Sequence, residues 1–221
     1  MKSSPPTLAS LAALLIAIAP SATRAGTPDA ANSKVHFPVS ESTNYSMVLY
    51  IQPDGTGPAL NNTRVRDPYL GVIDATILVE LRDSDNVLVL GYPAADVWLE
   101  AQNGGLSFCV DNPAIADFAS EQRGGGEFEW CTEFSGPFYG GGHTDPAAGD
   151  QVVVMTASTG STPVTAHLSD LQMNSADING DLVVNLIDLG IFAGDYFGTY
   201  NFRSDFVPDN QVNLGDIGRM A

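Results

Sequence analysis

Residues 177–188 read DINGDLVVNLID, and residues 205–216 read DFVPDNQVNLGD. The two segments are copies of one twelve-residue pattern, and the second copy starts 28 residues after the first. Aligned without gaps, both have Asp at positions 1, 5 and 12, Asn at position 9, Val at position 8 and Leu at position 10. An acidic repeat in one register indicates two loops with the same fold and the same chemistry.

The first copy offers oxygen atoms at the spacing that a calcium ion needs. Calcium takes six to eight oxygen ligands at about 2.3–2.6 Å, and a loop with oxygens at positions 1, 3, 5, 7, 9 and 12 can surround it. Three carboxylates so close together repel one another without a cation, so calcium should order the segment. The predicted ligands are the side chains of Asp177, Asn179, Asp181, Asn185 and Asp188 and the carbonyl of Val183.

The second copy lacks one of these oxygens. Val207 at position 3 has no side-chain oxygen, so a water molecule would have to take that place, with some loss of affinity. We therefore expect one or two bound ions. The predicted ligands of the second copy are the side chains of Asp205, Asp209, Asn213 and Asp216 and the carbonyl of Gln211.

Position 6 differs in both copies from the glycine that gives an EF-hand loop its sharp turn. Asn210 tolerates a left-handed backbone, whereas Leu182 would carry a strain of roughly 1–2 kcal/mol in that conformation. The first site is thus rich in ligands but strained, and the second is relaxed but one ligand short. Asp and Asn are also common in ordinary turns, but two copies in one register favour calcium.

The repeat resembles the dockerin family, whose pattern Asp-x-Asn-x-Asp-Gly-x-x-Asn-x-x-Asp fits residues 177–188 at every ligand position and fails only at Leu182. The second copy departs from that pattern at Val207 and Asn210. The resemblance covers residues 171–221 and implies a small α-helical module with two calcium loops, each followed by a helix. It also implies calcium-dependent docking to a cohesin-like domain on another protein.

In many dockerins, loop positions 10 and 11 are a Ser/Thr pair that contributes to cohesin recognition. Here these positions hold Leu186 with Ile187 and Leu214 with Gly215. The resemblance therefore implies that these four residues bind the partner, which would have to present an apolar surface. Helical spacing of apolar residues predicts a helix over residues 186–197, and a second helix of at most about two turns should start near Leu214.

Composition narrows the classes of function. The chain has 221 residues, of which 44% are hydrophobic, so it can bury a core of one or two domains. Its net charge of −17 comes from 26 acidic and only 9 Lys and Arg residues. Nucleic acid is excluded as an expected partner, because phosphate binding needs clustered basic side chains.

The N-terminal residues 1–25 predict a secretory signal peptide. An apolar run over residues 8–19 follows Lys2 and is too short for a comfortable membrane span, and cleavage after Ala25 fits the small residues there. The alternative is an uncleaved anchor. We expect a secreted or cell-surface protein with no membrane span after cleavage, and a flexible lead-in over residues 26–34.

Export changes the interpretation of the two cysteines. In an oxidising compartment Cys109 and Cys131 can form a disulfide that closes a loop of about 23 residues, worth roughly 3 kcal/mol in the chain-entropy model. The alternative is two unrelated buried thiols.

Short runs with strand composition cover residues 35–170. In the clearest run, 71–82, apolar and polar residues alternate, as they do in a strand with one buried face. Gly-rich segments such as Gly140–Gly142 read as turns, and residues 170–174 as a linker to the calcium loops. Further strands are predicted over residues 35–37, 46–52, 87–90, 95–101, 106–110, 127–134, 151–156 and around 164–168.

Strands at this spacing predict a mainly β fold with an antiparallel β-sandwich. The order of four sequence segments over residues 35–170 resembles secreted bacterial immunoglobulin-like repeats. The segments are ATILVELRDSDN, ADVWLEA, EFEWCTEF and VVVMTAS. That resemblance implies a structural or display domain and brings no catalytic residues with it.

No sequence motif predicts catalysis, so no catalytic residue is assigned. Glu129 and Glu133 lie on one predicted strand, where a solvated row of carboxylates is the simplest interpretation. The histidines at 36, 143 and 167 show no metal-site spacing. We predict a secreted, non-catalytic protein whose tail binds calcium and docks to a partner or surface. The alternatives are an adhesin or carbohydrate-binding accessory protein, with Trp98, Trp130, Phe138 and Tyr139 as candidate sugar contacts, and a small glycoside hydrolase component.

Overall fold

The structure, a computed structural model, describes residues 26–37, 47–64, 72–103, 105–123, 128–145, 150–164, 168 and 171–221. The predicted signal peptide, residues 1–25, and His167 lie outside these ranges. No helix within the described ranges is long and apolar enough to cross a membrane.

The part of the chain before the repeat consists mainly of short strands, which confirms the prediction of a mainly β fold. The strands are β1 Lys34–His36, β2 Met47–Ile51, β3 Thr63–Arg64, β4 Val72–Ile73, β5 Ile77–Glu80, β6 Val97–Gln102, β7 Leu106–Phe108, β8 Glu121–Gln122, β9 Trp130–Phe134, β10 Gly140–Gly142, β11 Gln151–Thr156 and β12 Leu171–Ser175.

Most of these strands pair in antiparallel fashion. One sheet has the strand order β1-β5-β9-β8, and three further antiparallel pairs are β7–β10, β6–β11 and β3–β4. The pair β2–β12 is parallel, with Leu171 opposite Met47 and Ser175 opposite Ile51. Parallel strands need a long connection, and here strands β3 to β11 lie between the two.

Strand boundaries differ from the predictions where local side chains compete with the ladder. The predicted strand 71–82 contains two strands, β4 and β5, because the Asp74 carboxylate accepts hydrogen bonds from the Thr76 N–H and Oγ1 at 3.0 and 2.6 Å. Residues 87–90 form only a single bridge, Arg82 with Leu88. Gly140–Gly142, predicted as a turn, is a buried strand.

The β part is held together by one apolar core to which alternate residues of several strands contribute, as the period of two requires. Burial of each large side chain contributes roughly 1.5–3 kcal/mol. The best-buried members include Leu49, Ile51, Ile77, Val79, Val97, Phe134, Val152, Val154, Leu171 and Met173.

The segment expected to be a linker is instead largely strand β12. Leu171 and Met173 face the apolar core, while Asn174 is fully buried on the side of the tail. Its Nδ2 donates hydrogen bonds to the carbonyls of Phe202 at 2.9 Å and Asp205 at 2.8 Å. The polar composition of this strand therefore comes from contact with the tail and not from solvent.

Residues 26–34, expected to be flexible, are tied to the turn after β5. The Asp29 N–H donates to the Arg82 carbonyl at 2.7 Å, and Asn32 Nδ2 donates to the Asp83 carbonyl at 2.8 Å. Ser33 and Arg82 exchange two more hydrogen bonds. The lead-in is thus an ordered edge of the β part.

The predicted disulfide is not formed in this structure, since Cys109 and Cys131 are both free thiols. Cys109 follows β7, which pairs with β10, whereas Cys131 lies in β9 of the four-stranded sheet. The two sulfurs have different surroundings: Cys109 Sγ lies 3.6 Å from the Pro53 carbonyl, and Cys131 is buried near Glu133 and Arg123. Burial raises the pKa of both thiols.

The tail contains two helices, α1 Leu186–Phe197 and α2 Leu214–Met220, which begin at the two predicted positions. A 3₁₀ turn, Phe202–Ser204, precedes the second loop. A second apolar core joins the tail to strand β2 and consists of Tyr50, Ala176, Ile178, Phe192 and Phe206.

Candidate metal centre

The two acidic loops fold in the same way around their first residue. Asp177 accepts hydrogen bonds from the N–H groups of Asp181 at 3.2 Å and Leu182 at 2.7 Å. Asp205 accepts from Asp209 at 3.2 Å and Asn210 at 3.0 Å, which are the same two loop positions. The side chain at position 1 therefore organises the turn at positions 5 and 6 in both copies.

The twelfth residue closes each loop in the same manner. The Asp188 carboxylate accepts from the N–H groups of Asn179 at 3.1 Å and Asn185 at 2.9 Å. In the second loop Asp216 accepts from the N–H groups at positions 3 and 9, both at 2.8 Å. Each carboxylate thus bridges the entry of its loop and the start of the helix that follows.

The ninth residue of each loop caps that helix. Asn185 Oδ1 accepts from the Ile187 N–H at 2.7 Å, and Asn213 Oδ1 accepts from the Gly215 N–H at 2.7 Å. With the aspartate at position 12, each Asn forms a capping box, which satisfies N–H groups that a helix start leaves unpaired. The sequence DxxxDxxxNxxD therefore determines both the loop and the first turn of the helix.

Position 6 is left-handed in both loops. Leu182 has φ 66° and Asn210 has φ 64°. An Asn side chain tolerates this conformation, whereas a leucine carries a cost of roughly 1–2 kcal/mol. The ring of hydrogen bonds around Asp177 is strong enough to hold Leu182 in the backbone conformation that the turn demands.

The remaining predicted ligands lie within the same loops and contact one another. Asn179 Nδ2 donates to Asp181 Oδ2 at 2.9 Å, and Asn185 Nδ2 donates to the Val183 carbonyl at 3.0 Å. In the second loop Asn213 Nδ2 donates to an Asp209 oxygen at 3.1 Å, and the Gln211 N–H donates to the other Asp209 oxygen at 2.9 Å. The predicted ligand residues of each loop therefore contact one another within that loop.

The first and last carboxylates of each loop are buried. Asp177, Asp188, Asp205 and Asp216 are at most 1% exposed, and no Lys, Arg or His within the described ranges forms an ion pair with them. Buried carboxylates are costly unless they are paired, protonated or bound to a metal. By contrast the buried Asp195 has its partner, Arg203 Nε, at 2.8 Å.

The pKa shifts of Asp177, Asp205 and Asp216 also favour a bound cation. Burial raises the pKa of Asp177, and the neighbouring Asp188 and Asp181 raise it further, while the Leu182 N–H opposes them. Burial raises the pKa of Asp205 to about 6, with the Tyr200 hydroxyl at 2.8 Å acting in the opposite direction. Burial also raises the pKa of Asp216. These carboxylates favour either a proton or a cation.

The donor set consists of carboxylate, amide and main-chain oxygens, and it fits a hard cation such as calcium. Among the described residues, no three His, Cys, Asp or Glu side chains are grouped closely enough to hold a metal by themselves. Amide and carbonyl oxygens would have to complete each site, as the twelve-residue pattern requires.

The predicted partner residues lie on the surface. Leu186, Ile187 and Leu214 are exposed at 82%, 60% and 72%, and Gly215 is exposed as well. Sequence reasoning missed an apolar groove of about 480 Å³ beside them, although the helical spacing of Leu186 and Leu189 was a signal for it. The groove is lined by Val184, Asn185, Leu186, Leu189, Ile217, Met220 and Ala221.

The candidate sugar-binding aromatics are not gathered on one surface. Phe138 is buried in the core, and the Tyr139 ring covers Gly55. Trp98 lies on β6 and Trp130 on β9, which belong to different sheets. Of the glutamates, Glu133 pairs with Arg123 at 3.4 Å, and burial raises the pKa of Glu133.

Comparisons with known protein families, with curated proteins and with solved structures found no match to this chain.

Proposed function

We propose that this is a secreted, non-catalytic protein in which a dockerin-like tail binds calcium in two loops and docks to a partner. The β part is then an immunoglobulin-like sandwich that the tail attaches to that partner. Export through the N-terminal signal peptide is part of the proposal, since extracellular calcium would keep the loops loaded.

One observation carries the calcium proposal. Four buried carboxylates, two in each loop, accept main-chain hydrogen bonds at equivalent loop positions and form no ion pair with a cationic side chain of the described residues. Duplicated geometry of this kind is difficult to explain as two unrelated turns, because each ring holds negative charge in the same place with no ion-pair partner among the described residues. A divalent cation would neutralise that charge.

The docking proposal is supported by the exposed apolar residues at the helix starts. Leu186 and Leu214 occupy the same loop position and are both largely exposed, although large apolar side chains usually avoid water. The resemblance to dockerins implies that residues at these positions contribute to partner recognition. A cohesin-like domain with an apolar contact surface therefore fits them better than a polar one.

The test has two parts. Calorimetric titration of the full secreted chain with calcium should reveal at least one site, and circular dichroism should change when a chelator removes the metal. A pull-down with a cohesin-like domain should then succeed with calcium and fail with chelator.

The docking surface has a matched control. Replacing both leucines, Leu186→Asp with Leu214→Asp, should abolish the pull-down while calcium binding persists. Val110 is an 89% exposed apolar residue of the β part, so Val110→Asp should leave the pull-down unchanged. A chain that binds no calcium contradicts the proposal, and capture that survives chelation contradicts its docking half.

A further inference from the structure

Strand β10 packs directly against the first calcium loop. A Cβ atom placed on Gly141 would lie 1.7 Å from Asp177 Oδ2 and 2.6 Å from its Cγ. The neighbouring Gly142 N–H donates a hydrogen bond to the Asp177 carbonyl at 2.6 Å. Because no side chain fits at position 141, glycine allows the backbone of β10 to lie directly against the Asp177 carboxylate.

Further contacts join both calcium loops to the β part. His143 Nδ1 lies 3.3 Å from the Ile178 carbonyl oxygen. On the second loop's side, the Tyr50 hydroxyl donates to the Arg219 carbonyl at 3.1 Å, and the Tyr50 and Phe206 rings lie 5.4 Å apart. The tail therefore shares main-chain, polar and apolar contacts with the β part.

We infer that Gly141 is a positioning residue for Asp177, so that β10 forms part of the first calcium site and calcium stabilises the β part. This inference rests on the proposed calcium binding. A ligand that binds only the folded form stabilises everything that must fold to create its site. The relation is reciprocal, so a change in β10 that destabilises the calcium-bound form more than the calcium-free form must weaken calcium binding by that difference in free energy.

The chain contains a reporter for this coupling. Its two tryptophans, Trp98 on β6 and Trp130 on β9, both lie in the β part. Tryptophan fluorescence during urea unfolding therefore follows the β part alone. We call the urea concentration at the midpoint of this transition the fluorescence midpoint. Its shift on adding calcium measures how much calcium binding in the tail stabilises the sheets.

The experiment compares the full secreted chain with Gly141→Ala, each titrated with calcium and each unfolded in excess calcium or excess chelator. In the unaltered chain, calcium should raise the fluorescence midpoint. In Gly141→Ala the affinity of one calcium site should fall about 10- to 100-fold, as expected when the support of a metal ligand is displaced. The calcium-dependent shift of the midpoint should shrink with it.

Gly194→Ala is the matched control. It is also a Gly-to-Ala change in this molecule, and its added Cβ would meet nothing within 4 Å. It should leave both the calcium affinity and the shift of the fluorescence midpoint as they are. If Gly141→Ala does not fold, Tyr50→Phe replaces it, because it removes the hydrogen bond to Arg219 and keeps the ring. The shift should then be smaller than in the unaltered chain.

The outcomes separate this inference from the proposed function. Calcium binding by calorimetry with no movement of the fluorescence midpoint would overturn the inference and leave the calcium loops in place. Unchanged affinity in a folded Gly141→Ala protein would overturn it as well. Absence of any calcium binding by the unaltered chain would overturn the proposed function itself.

Discussion

Each of the two acidic loops contains a ring of hydrogen bonds at equivalent positions, but the residues that pack around the two rings differ. The first carboxylate of loop one, Asp177, lies against the bare backbone of Gly141, whereas that of loop two, Asp205, receives a hydrogen bond from the Tyr200 hydroxyl. Loop one has an amide oxygen at position 3 and a strained Leu182. Loop two has Val207 at position 3 and the relaxed Asn210. The repeat thus fixes the geometry of the ring, while neighbouring elements decide how each copy is supported.

The largest difference should appear when the first carboxylate is removed. Asp177→Ala should nearly abolish binding at loop one, because it deletes a ligand and the acceptor of the hydrogen bonds to Asp181 and Leu182. Asp188→Ala should act in the same way through the other end of the ring. Asp205→Ala should cost less calcium affinity overall, since loop two already lacks a ligand. Calorimetry that finds the larger loss in loop two would reverse this ranking of the sites.

The difference between Leu182 and Asn210 at position 6 should appear in the free energy of unfolding. Leu182→Asn replaces a leucine at φ 66° with a residue that tolerates this conformation, so the free energy of unfolding should rise by roughly 1 kcal/mol. The neighbouring Val183 is exposed and does not have a positive φ, so Val183→Asn should give no such gain. Urea unfolding of the tail by circular dichroism measures both. A loss of stability in Leu182→Asn would mean that the Leu182 side chain contributes more through packing than its backbone costs.

Local elements were predictable from the sequence, and contacts between distant segments were not. The loops and α1 follow from residues within twelve positions of one another, so their spacing was sufficient. Strand β12 was missed because its polar Asn174 is buried by the tail, and β10 because three glycines resemble a turn. The role of Gly141 depends on the position of Asp177 in three dimensions. No pattern around residue 141 reveals it.

The missing oxygen of loop two can be restored. Val207→Asn copies the residue that loop one has at position 3, and one added ligand should improve the calcium affinity of loop two by about 1 kcal/mol, or about fivefold. Val184→Asn is the control, because Val184 is a partly exposed valine at a loop position that supplies no ligand. Calorimetry should resolve a tighter second site only in Val207→Asn. An unchanged affinity would indicate that water already fills the vertex at little cost.

The smallest expected effect concerns the Tyr200 hydroxyl, which supports the first carboxylate of loop two. Burial raises the pKa of Asp205 from its ordinary 3.8 to about 6, and the Tyr200 hydroxyl opposes that rise by stabilising the charged carboxylate. In calcium-free protein the folded state therefore keeps a proton that the unfolded state has lost, and stability falls as the pH rises from about 4 to about 6.

Tyr200→Phe removes the hydroxyl that favours the charged form. It should destabilise calcium-free protein by about 1 kcal/mol or less well above pH 6, and by progressively less as the carboxyl becomes protonated below that pH. Tyr196→Phe is the control, since its ring packs on Phe192 in the same tail. Urea unfolding in chelator across this pH range measures the difference. A loss that grows as the pH falls would show that the hydroxyl supports the protonated carboxyl instead, and loop two would then lack an electrostatic support of its own.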